Sequence, residues 1–212
     1  MRNFYYFLFF LFSGLSYGGT FDERLFFQKQ VGTNWVKGYS ITSGGKLTGC
    51  SIEFNSFIHD TTYVASQLSS VSGSYTLFFM PERSDIRIGL KLVVHDYKYG
   101  AEKVDPNPPF FATIKTSGKK RFVSAYVDST ESETPGGRFF IYRFDESTEE
   151  VLDQIYKNKL SILFNRKEGS IDLIVPLDLT VVSKDDKGHV TRSKTNMKDF
   201  NNCLGEGFRL FK

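Results

Sequence analysis

The sequence predicts a mainly β fold, in which antiparallel sheets form a β-sandwich-like body and two short helices lie at about 147–158 and 196–204. Aromatic residues make up 16% of the chain, mostly as Phe and Tyr, which favour the pleated surface of strands. Short alternating segments also recur along the chain, and clusters of Gly, Pro, Ser and Asp separate them. This spacing is typical of a sandwich or a barrel-like sheet.

The start of the chain has the three parts of a secretory signal peptide. Met1-Arg2-Asn3 is followed by the apolar run Phe4–Phe12 and then by small residues up to Gly19. A run this short cannot span a bilayer, which takes roughly 20 apolar residues. We therefore predict a signal peptide at 1–19 and a single β-rich exported domain at 20–212. The protein would be periplasmic or secreted, with no integral membrane segment after cleavage.

The first two strands are predicted as a hairpin. Trp35–Ile41 and Leu47–Phe54 both alternate, and the turn formers Ser43-Gly44-Gly45-Lys46 lie between them. In the second strand Cys50 alternates in phase with Ile52 and Phe54. The pattern therefore places Cys50 on the buried face of its strand.

The middle of the chain carries further strand patterns between loops. Ser70 and Ser72-Gly73-Ser74 are assigned to loops by composition, as is 130–137. Asp105–Pro109 lacks three backbone donors, which predicts an irregular loop on the surface or across a sheet edge. The strands are predicted at 62–68, 75–80, 86–94, 110–115, 122–127 and 138–144.

A capped helix follows the middle strands. Ser147 and Glu150 have capping-box spacing, and the apolar residues of the helix that follows lie on one face: Val151, Leu152, Ile155 and Tyr156. Beyond the helix, 160–165 and 171–175 are predicted to form a hairpin, and Pro176 is predicted to mark a bulge or an end.

The last part of the chain is predicted to be a polar loop and a second helix. Ser183–Ser193 is polar and charged, which is typical of a loop. Asn196 is predicted to cap a helix from Met197 to about Leu204, in which Phe200 and Cys203 share a face with Leu204.

Cys50 and Cys203 are the chain's two cysteines, and an even count in an exported protein predicts a disulfide. Such a bridge would tie the early cysteine strand to the last helix. The alternative is a pair of buried free thiols that behave as small apolar side chains. Neither cysteine lies in a recognisable nucleophile motif.

No motif in the chain predicts catalytic, cofactor-binding or metal-binding residues. His59 and His95 each precede an aspartate, but neighbouring side chains in a strand point to opposite faces, so adjacency does not make them converge. His189 is predicted to lie in a solvated loop. Zinc needs three or four ligands, usually Cys or His, and paired cysteines would leave too few. No nucleophile elbow is present.

The net charge argues against nucleic-acid binding, and pairs of phenylalanines could form an aromatic binding surface. The net charge is +3 and falls to +2 when Arg2 leaves with residues 1–19, which is too small for a phosphate-binding surface. Each of the pairs Phe78-Phe79, Phe110-Phe111 and Phe139-Phe140 is predicted to supply one core side chain and one outward side chain. A row of outward aromatics would form a binding surface, unless the sheet is covered on both faces.

Five short motifs resemble one family of small exported proteobacterial proteins, the invasion-associated locus B family and its uncharacterised relatives. The motifs are Asn34-Trp35, Gly44-Gly45-Lys46-Leu47, Cys50-Ser51-Ile52, Val151-Leu152 and Phe200-Asn201-Asn202-Cys203. The resemblance covers 34–55 and 147–204. It implies a bacterial, exported, β-rich and non-enzymatic domain with a loose association to host interaction, and it supplies no catalytic residues. This chain departs from the family in having two cysteines and in the proline-rich segment at 105–109.

The sequence thus predicts an exported binding or interaction domain without a cofactor. Its partner would be a protein or an envelope or host-surface ligand, and not a nucleic acid. An envelope hydrolase with an unrecognised site is the alternative, in which His59 or His95 would converge with an acid and a serine. A secreted effector or adhesin is a third reading, favoured if outward Tyr and Phe form a contiguous patch.

Overall fold

The computed structural model describes residues 25–26, 28–63, 67–97, 104–116, 125–170 and 172–211, and the predicted signal peptide at 1–19 lies outside them. The strands are β1 Gly32–Ser43, β2 Lys46–Asp60, β3 Gln67–Met80, β4 Asp85–Tyr97, β5 Val104–Pro106, β6 Phe111–Ile114, β7 Tyr126–Glu131, β8 Gly137–Arg143, β9 Lys159–Asn165, β10 Leu173–Asp178, β11 Val181–Lys184 and β12 Val190–Arg192. The helices are α1 Glu146–Tyr156 and α2 Lys198–Arg209, with a short 3₁₀ turn at Pro81–Arg83. The predicted mainly β, sandwich-like class is confirmed.

A seven-stranded antiparallel sheet, the main sheet, forms the body of the protein. Its strand order is β1-β2-β3-β4-β8-β7, and β5 pairs with the far end of β4. The predicted β1–β2 hairpin is confirmed, and its turn residues Gly44 and Gly45 both have positive φ. Two consecutive positive φ angles favour glycine and match the twist of the two strands.

One face of the main sheet, the inner face, is covered by a smaller sheet. That second sheet has the order β10-β9-β6, and Leu160, Ile162 and Phe164 of β9 are fully buried in the core between the two layers. Tyr142 of β8 donates a hydrogen bond across the interface to the carbonyl oxygen of Ala112 in β6. The core between the layers is apolar apart from a few polar groups.

The disulfide and α2 close one side of the sandwich. Cys50 and Cys203 are bonded, with 2.04 Å between their sulfur atoms, as the sequence predicted. Phe200 of α2 lies against Gly38 of β1, where an added Cβ would be 2.7 Å from the Phe200 Cβ. The helix approaches β1 this closely because the glycine has no side chain. No helix among the described residues is long and apolar enough to cross a bilayer.

The predicted start of β3 is wrong. Asp60 Oδ1 accepts hydrogen bonds from the backbone N–H groups of Thr62 and Tyr63, so these residues form a turn and the strand begins at Gln67. Ser70, Ser72 and Ser74, assigned to loops by composition, lie with Gly73 inside one 14-residue strand. β2 and β4 pair with this strand along both edges, so tertiary pairing overrides the turn preference of serine and glycine.

The predicted capping residues of both helices are wrong. Asp145 caps α1, because its side chain accepts from the Ser147 N–H while Thr148 Oγ1 accepts from the Asp145 N–H. No described side chain caps α2. Asn196 instead donates from Nδ2 to the carbonyl oxygens of Val36, Leu179 and Val181.

Other boundaries also differ from the prediction. Tyr156 lies outside the buried face of α1 and is 78% exposed. Pro176 lies within β10, which tolerates it because β10 is an edge strand.

Two predicted loops contain strand residues. The predicted irregular loop at 105–109 begins only after Pro106, and the predicted loop at 183–193 contains parts of the β11–β12 hairpin. The strand predicted at 122–127 is β7 at 126–131, and 121–124 lie outside the described residues.

Candidate functional site

The face of the main sheet opposite the core, the outer face, carries a mixture of aromatic, apolar and polar side chains. The strand register sets them in rows that run across β1, β2, β3 and β4. One row contains Trp35, Asn55, Ser72 and Val93. The aromatic pairs divide as predicted: Phe79 and Phe140 are buried, whereas Phe78 and Phe139 line the outer face and Phe110 is exposed.

A polar groove lies on this face, with a volume of about 350 Å³. Side chains from four adjacent strands and from the loop before β8 line it: Trp35, Glu53, Ser72, Ser74, Lys91, His95 and Thr134. This volume is at the small end of the range for small-molecule sites. The polar groove therefore combines one large aromatic surface with a set of hydrogen-bonding groups.

Trp35 is held in place by a β-bulge. The pairing of β1 with β2 shifts register between Thr33 and Trp35, which leaves Asn34 as the extra residue. Asn34 Nδ2 donates to Asn55 Oδ1 over 2.9 Å, so the bulge is fixed from the neighbouring strand. Bulges of this kind redirect a side chain. Trp35 is left 39% exposed at the groove.

The charged groups of the polar groove are one acid and one base. Glu53 Oε1 accepts from the Tyr39 hydroxyl over 3.0 Å, and Lys91 Nζ donates to Thr134 Oγ1 over 3.3 Å. Partial burial raises the pKa of Tyr39, a hydrogen bond with Ser51 opposes this, and Glu53 raises the pKa further. Tyr39 therefore remains a neutral donor to Glu53 at neutral pH. Glu53 and Lys91 balance each other, so their formal charges sum to zero.

Several polar groups of the groove have no partner within the described part of the chain. They are Trp35 Nε1, the hydroxyls of Ser72 and Ser74 and the ring nitrogens of His95, none of which makes a side-chain hydrogen bond to another described residue. These groups are available to a ligand, and hydroxyls can both donate and accept.

An apolar groove of about 470 Å³ adjoins the polar groove on the same face. The rings of Phe78 and Phe139 lie edge to face, 6.5 Å apart, above Gly89. A Cβ at Gly89 would lie 2.6 Å from Phe139 Cζ, so only glycine leaves room for this pair. Arg87 at the rim is paired with Asp85 over 2.6 Å. Because Lys91 is opposite Phe139 in the register, the two grooves meet at that pair.

A larger open cavity, of about 710 Å³, lies between the start of β1 and β10. Lys157, Lys159 and Lys194 line it, but all three are exposed and Lys157 pairs with Asp153 over 2.6 Å. Such lysines are typical of a solvated surface. The described lining lacks the exposed aromatic surface that the polar groove has.

A buried charge cluster, formed by Arg166, Asp60, Asp96, Ser69 and Asn107, was not predicted. Arg166 Nε donates to Asp60 Oδ2 over 2.9 Å, and Arg166 Nη2 donates to Asp96 Oδ1 over 2.7 Å. Ser69 and Asn107 donate to the same Asp96 carboxylate, each over 2.7 Å. The side chain of Arg166 is 9% exposed, that of Asp96 5% and that of Asp60 0%. The three charged side chains are therefore almost closed to solvent, and they join the two layers.

The sequence did contain a signal for this cluster. Asp60 continues the buried alternation of β2 after Ile58, and Asp96 continues that of β4 after Val94. A carboxylate in phase with core residues needs a cationic partner. The partner, Arg166, follows β9 in a segment predicted only as a turn, so spacing could not identify it.

The three histidines lie in three different environments. His95 lies in the polar groove with Glu53 and the two serines, but no hydrogen bond joins its ring to a described hydroxyl or carboxylate. His59 is half-buried, and its Nδ1 has no described partner. His189 is exposed in the β11–β12 turn, where its backbone N–H helps to lower the pKa of Asp185. Among the described residues no group of three metal-ligating side chains converges.

Comparison of the chain with protein-family models, with curated proteins and with solved structures finds no match. The resemblance to the invasion-associated locus B family therefore stays a prediction.

Proposed function

We propose that this protein is an exported, non-enzymatic binding domain, periplasmic or secreted, and that its ligand site is the outer face of the main sheet. The observation that carries the proposal is the exposed Trp35, held by a bulge beside polar groups that have no described partner. Large aromatic surfaces with a few placed polar groups are the usual lining of binding sites. The Cys50–Cys203 disulfide supports an oxidising compartment.

The ligand would be an envelope or host-surface component. The resemblance to exported proteobacterial proteins favours such a partner. The small net charge of +3 argues against nucleic acid, which binds to concentrated basic surfaces.

Backbone ¹⁵N NMR of the oxidised protein tests the location of the site. We would add protein-free glycan and lipid extracts of bacterial envelopes, and then the same extracts of host-cell membranes. Shifts that cluster at the outer-face residues of β1 to β4 and β8 are expected. Loss of these shifts in Trp35→Ala, but not in the matched variant Tyr156→Ala, would support the proposal. Shifts confined to α1, α2 or the β11–β12 hairpin would overturn it.

Export has its own test. Protein secreted by a bacterial host should have the mass of a chain that begins at Thr20 with both cysteines oxidised, and should react with a thiol reagent only after reduction and unfolding. An uncleaved chain with two reactive thiols would contradict export.

An envelope hydrolase is the second candidate, because the polar groove holds His95 together with Ser72 and Ser74. Hydrogen bonds between catalytic groups are often long without substrate, so the missing bond does not decide the question. Turnover of chromogenic ester or glycoside substrates that disappears in His95→Ala would favour this candidate over simple binding.

A further inference from the structure

We propose that the polar groove binds a neutral oligosaccharide, with the Trp35 indole as the surface on which a sugar ring stacks. This inference rests on the proposed function, because it names the ligand class of the same face. Three properties of the groove carry it: the position of the indole, the chemistry of the polar groups and the balance of charge.

Trp35 supplies a flat and rigid aromatic face. Its backbone lies in a strand, and the bond from Asn34 Nδ2 to Asn55 Oδ1 fixes the bulge beside it. One face of a sugar ring presents C–H groups, which pack on an indole without losing the hydroxyls at the ring's edge. A ring stacked on Trp35 would cover the part of the indole that is exposed. The backbone that carries the indole is already ordered in the sheet, so binding needs no ordering of the chain at this position.

The polar groups around Trp35 match the edge of a sugar. Ser72 and Ser74 lie on β3 and His95 lies on β4, so they line the same groove two and three strands away from the indole on β1. Their hydroxyls and ring nitrogens donate and accept, as sugar hydroxyls do. A purely apolar ligand would leave these groups unpaired, which costs binding free energy.

The charges of the groove argue against an anionic ligand. Lys91 is the one cationic side chain among its lining residues, and Glu53 lines the same groove. A phosphorylated or strongly acidic ligand would meet the Glu53 carboxylate. A neutral ligand meets no such cost, and its hydroxyls can bond to both Glu53 and Lys91.

The shape of the groove suits a chain rather than a single ring. It crosses four strands, from Trp35 on β1 to His95 on β4, which is a span of about 14 Å at the usual strand spacing. A short oligosaccharide would lie across the strands, with one ring on Trp35 and the next ones over Ser72, Ser74 and His95.

Intrinsic fluorescence tests the inference directly, because Trp35 is the chain's single tryptophan. We would titrate the oxidised mature protein with three neutral trisaccharides, chitotriose, cellotriose and maltotriose, and with the acidic trisaccharide trigalacturonic acid. A saturable blue shift is expected with at least one neutral trisaccharide, since stacking removes water from the indole. The acidic trisaccharide should bind at least about tenfold more weakly.

Calorimetry on variants locates the binding. Trp35→Ala should weaken binding of the same trisaccharide by at least about tenfold, since buried tryptophans dominate binding energies. Trp35→Phe should recover part of this loss, and Ser72→Ala should weaken binding a few-fold. Tyr156→Ala, which removes an exposed aromatic residue of α1, should bind like the unaltered protein. Circular dichroism would verify that each variant is folded.

The outcomes separate this inference from the proposed function. If no neutral trisaccharide changes the fluorescence or gives heat, while the glycan and lipid extracts still shift outer-face NMR signals, the sugar is wrong and the binding face stands. Tighter binding of the acidic trisaccharide also overturns the inference. If trisaccharide binding persists in Trp35→Ala and shifts signals away from the outer face, both proposals fail.

Discussion

Arg166 Nη2 lies 2.7 Å from Asp96 Oδ1, in a buried contact that joins the end of β9 in the second sheet to β4 in the main sheet. The same guanidinium group donates from Nε to Asp60, at the end of β2. One cation thus holds two carboxylates that have almost no contact with solvent. The two layers are connected here by charge rather than by apolar packing.

Replacing Arg166 should destabilise the protein strongly. Arg166→Met leaves Asp60 and Asp96 buried together without a cation, and breaking a buried pair in this way costs about 3–5 kcal/mol. We expect a loss of this size in the free energy of unfolding, measured with urea at neutral pH.

The matched control for this change is Arg192→Met. Arg192 pairs with Asp178 over 3.2 Å, but both side chains are largely exposed. Exposed pairs contribute less than about 1 kcal/mol, so this variant should unfold close to the unaltered protein. Equal losses in the two variants would contradict a special role for the buried cluster.

Removal of the disulfide should lower the stability by about 2–5 kcal/mol, because the bridge restricts the unfolded chain. The variant with both Cys50→Ala and Cys203→Ala should melt at a lower temperature than the oxidised protein, by calorimetry. Reductant should lower the melting temperature of the unaltered protein and leave that of the variant unchanged. A reductant effect on the variant would show that the bridge is not its cause.

Two glycines of α2 should respond in opposite directions to alanine. Gly205 has open space where a Cβ would be, so Gly205→Ala should stabilise the helix by about 0.5–1 kcal/mol. At Gly207 the added Cβ would lie 2.1 Å from the Phe79 ring. Gly207→Ala should therefore destabilise the protein by about 1–3 kcal/mol. Urea unfolding of both variants checks this, and a stabilising Gly207→Ala would mean that α2 packs less tightly on the sheet.

Two buried tyrosines should differ at neutral pH. The Tyr75 hydroxyl has no described partner, so Tyr75→Phe should be neutral or should stabilise the protein by about 1 kcal/mol. Tyr142→Phe removes the bond to the Ala112 carbonyl oxygen and should cost about 1 kcal/mol. Urea unfolding at about pH 7 compares them, and a loss in Tyr75→Phe would indicate an additional partner.

The same two tyrosines should make the protein sensitive to alkali. Burial raises the pKa of both phenols above the ordinary value of 10.0. The unfolded chain therefore loses these protons first, so their contribution to stability is complete below about pH 10 and is lost as the pH rises above it. Each Phe variant should lose less stability than the unaltered protein between about pH 9 and about pH 11. An equal loss would exclude the phenols as the cause.

The sequence predicted the structure best where strand alternation and the turn residues indicated the same element. The β1–β2 hairpin was predictable because alternation and the Gly44-Gly45 turn agree, and the phase of Cys50 with Ile52 and Phe54 gave the buried side of the bridge. The serines of β3 misled the prediction, since their strand depends on partners on both edges, which are remote in sequence.

The candidate site was predictable only in part. Alternation implied that one member of each Phe-Phe pair faces outward, which holds for Phe78 and Phe139. Trp35, by contrast, lines one groove with Ser72 and His95 only because four strands pair in this register. No local sequence pattern predicts that register. Arg166 meets Asp60 across 106 positions of sequence for the same reason.

The Cys50–Cys203 bond also fixes an order of events during synthesis of the chain. Cys50 must wait while the next 153 residues are synthesised, which takes roughly 10–30 s at ordinary elongation rates. During that interval Cys50 has no native partner for its thiol. The native bond can therefore form only after α2 has been synthesised, so an oxidised chain is one in which residues of β2 and α2 have already met.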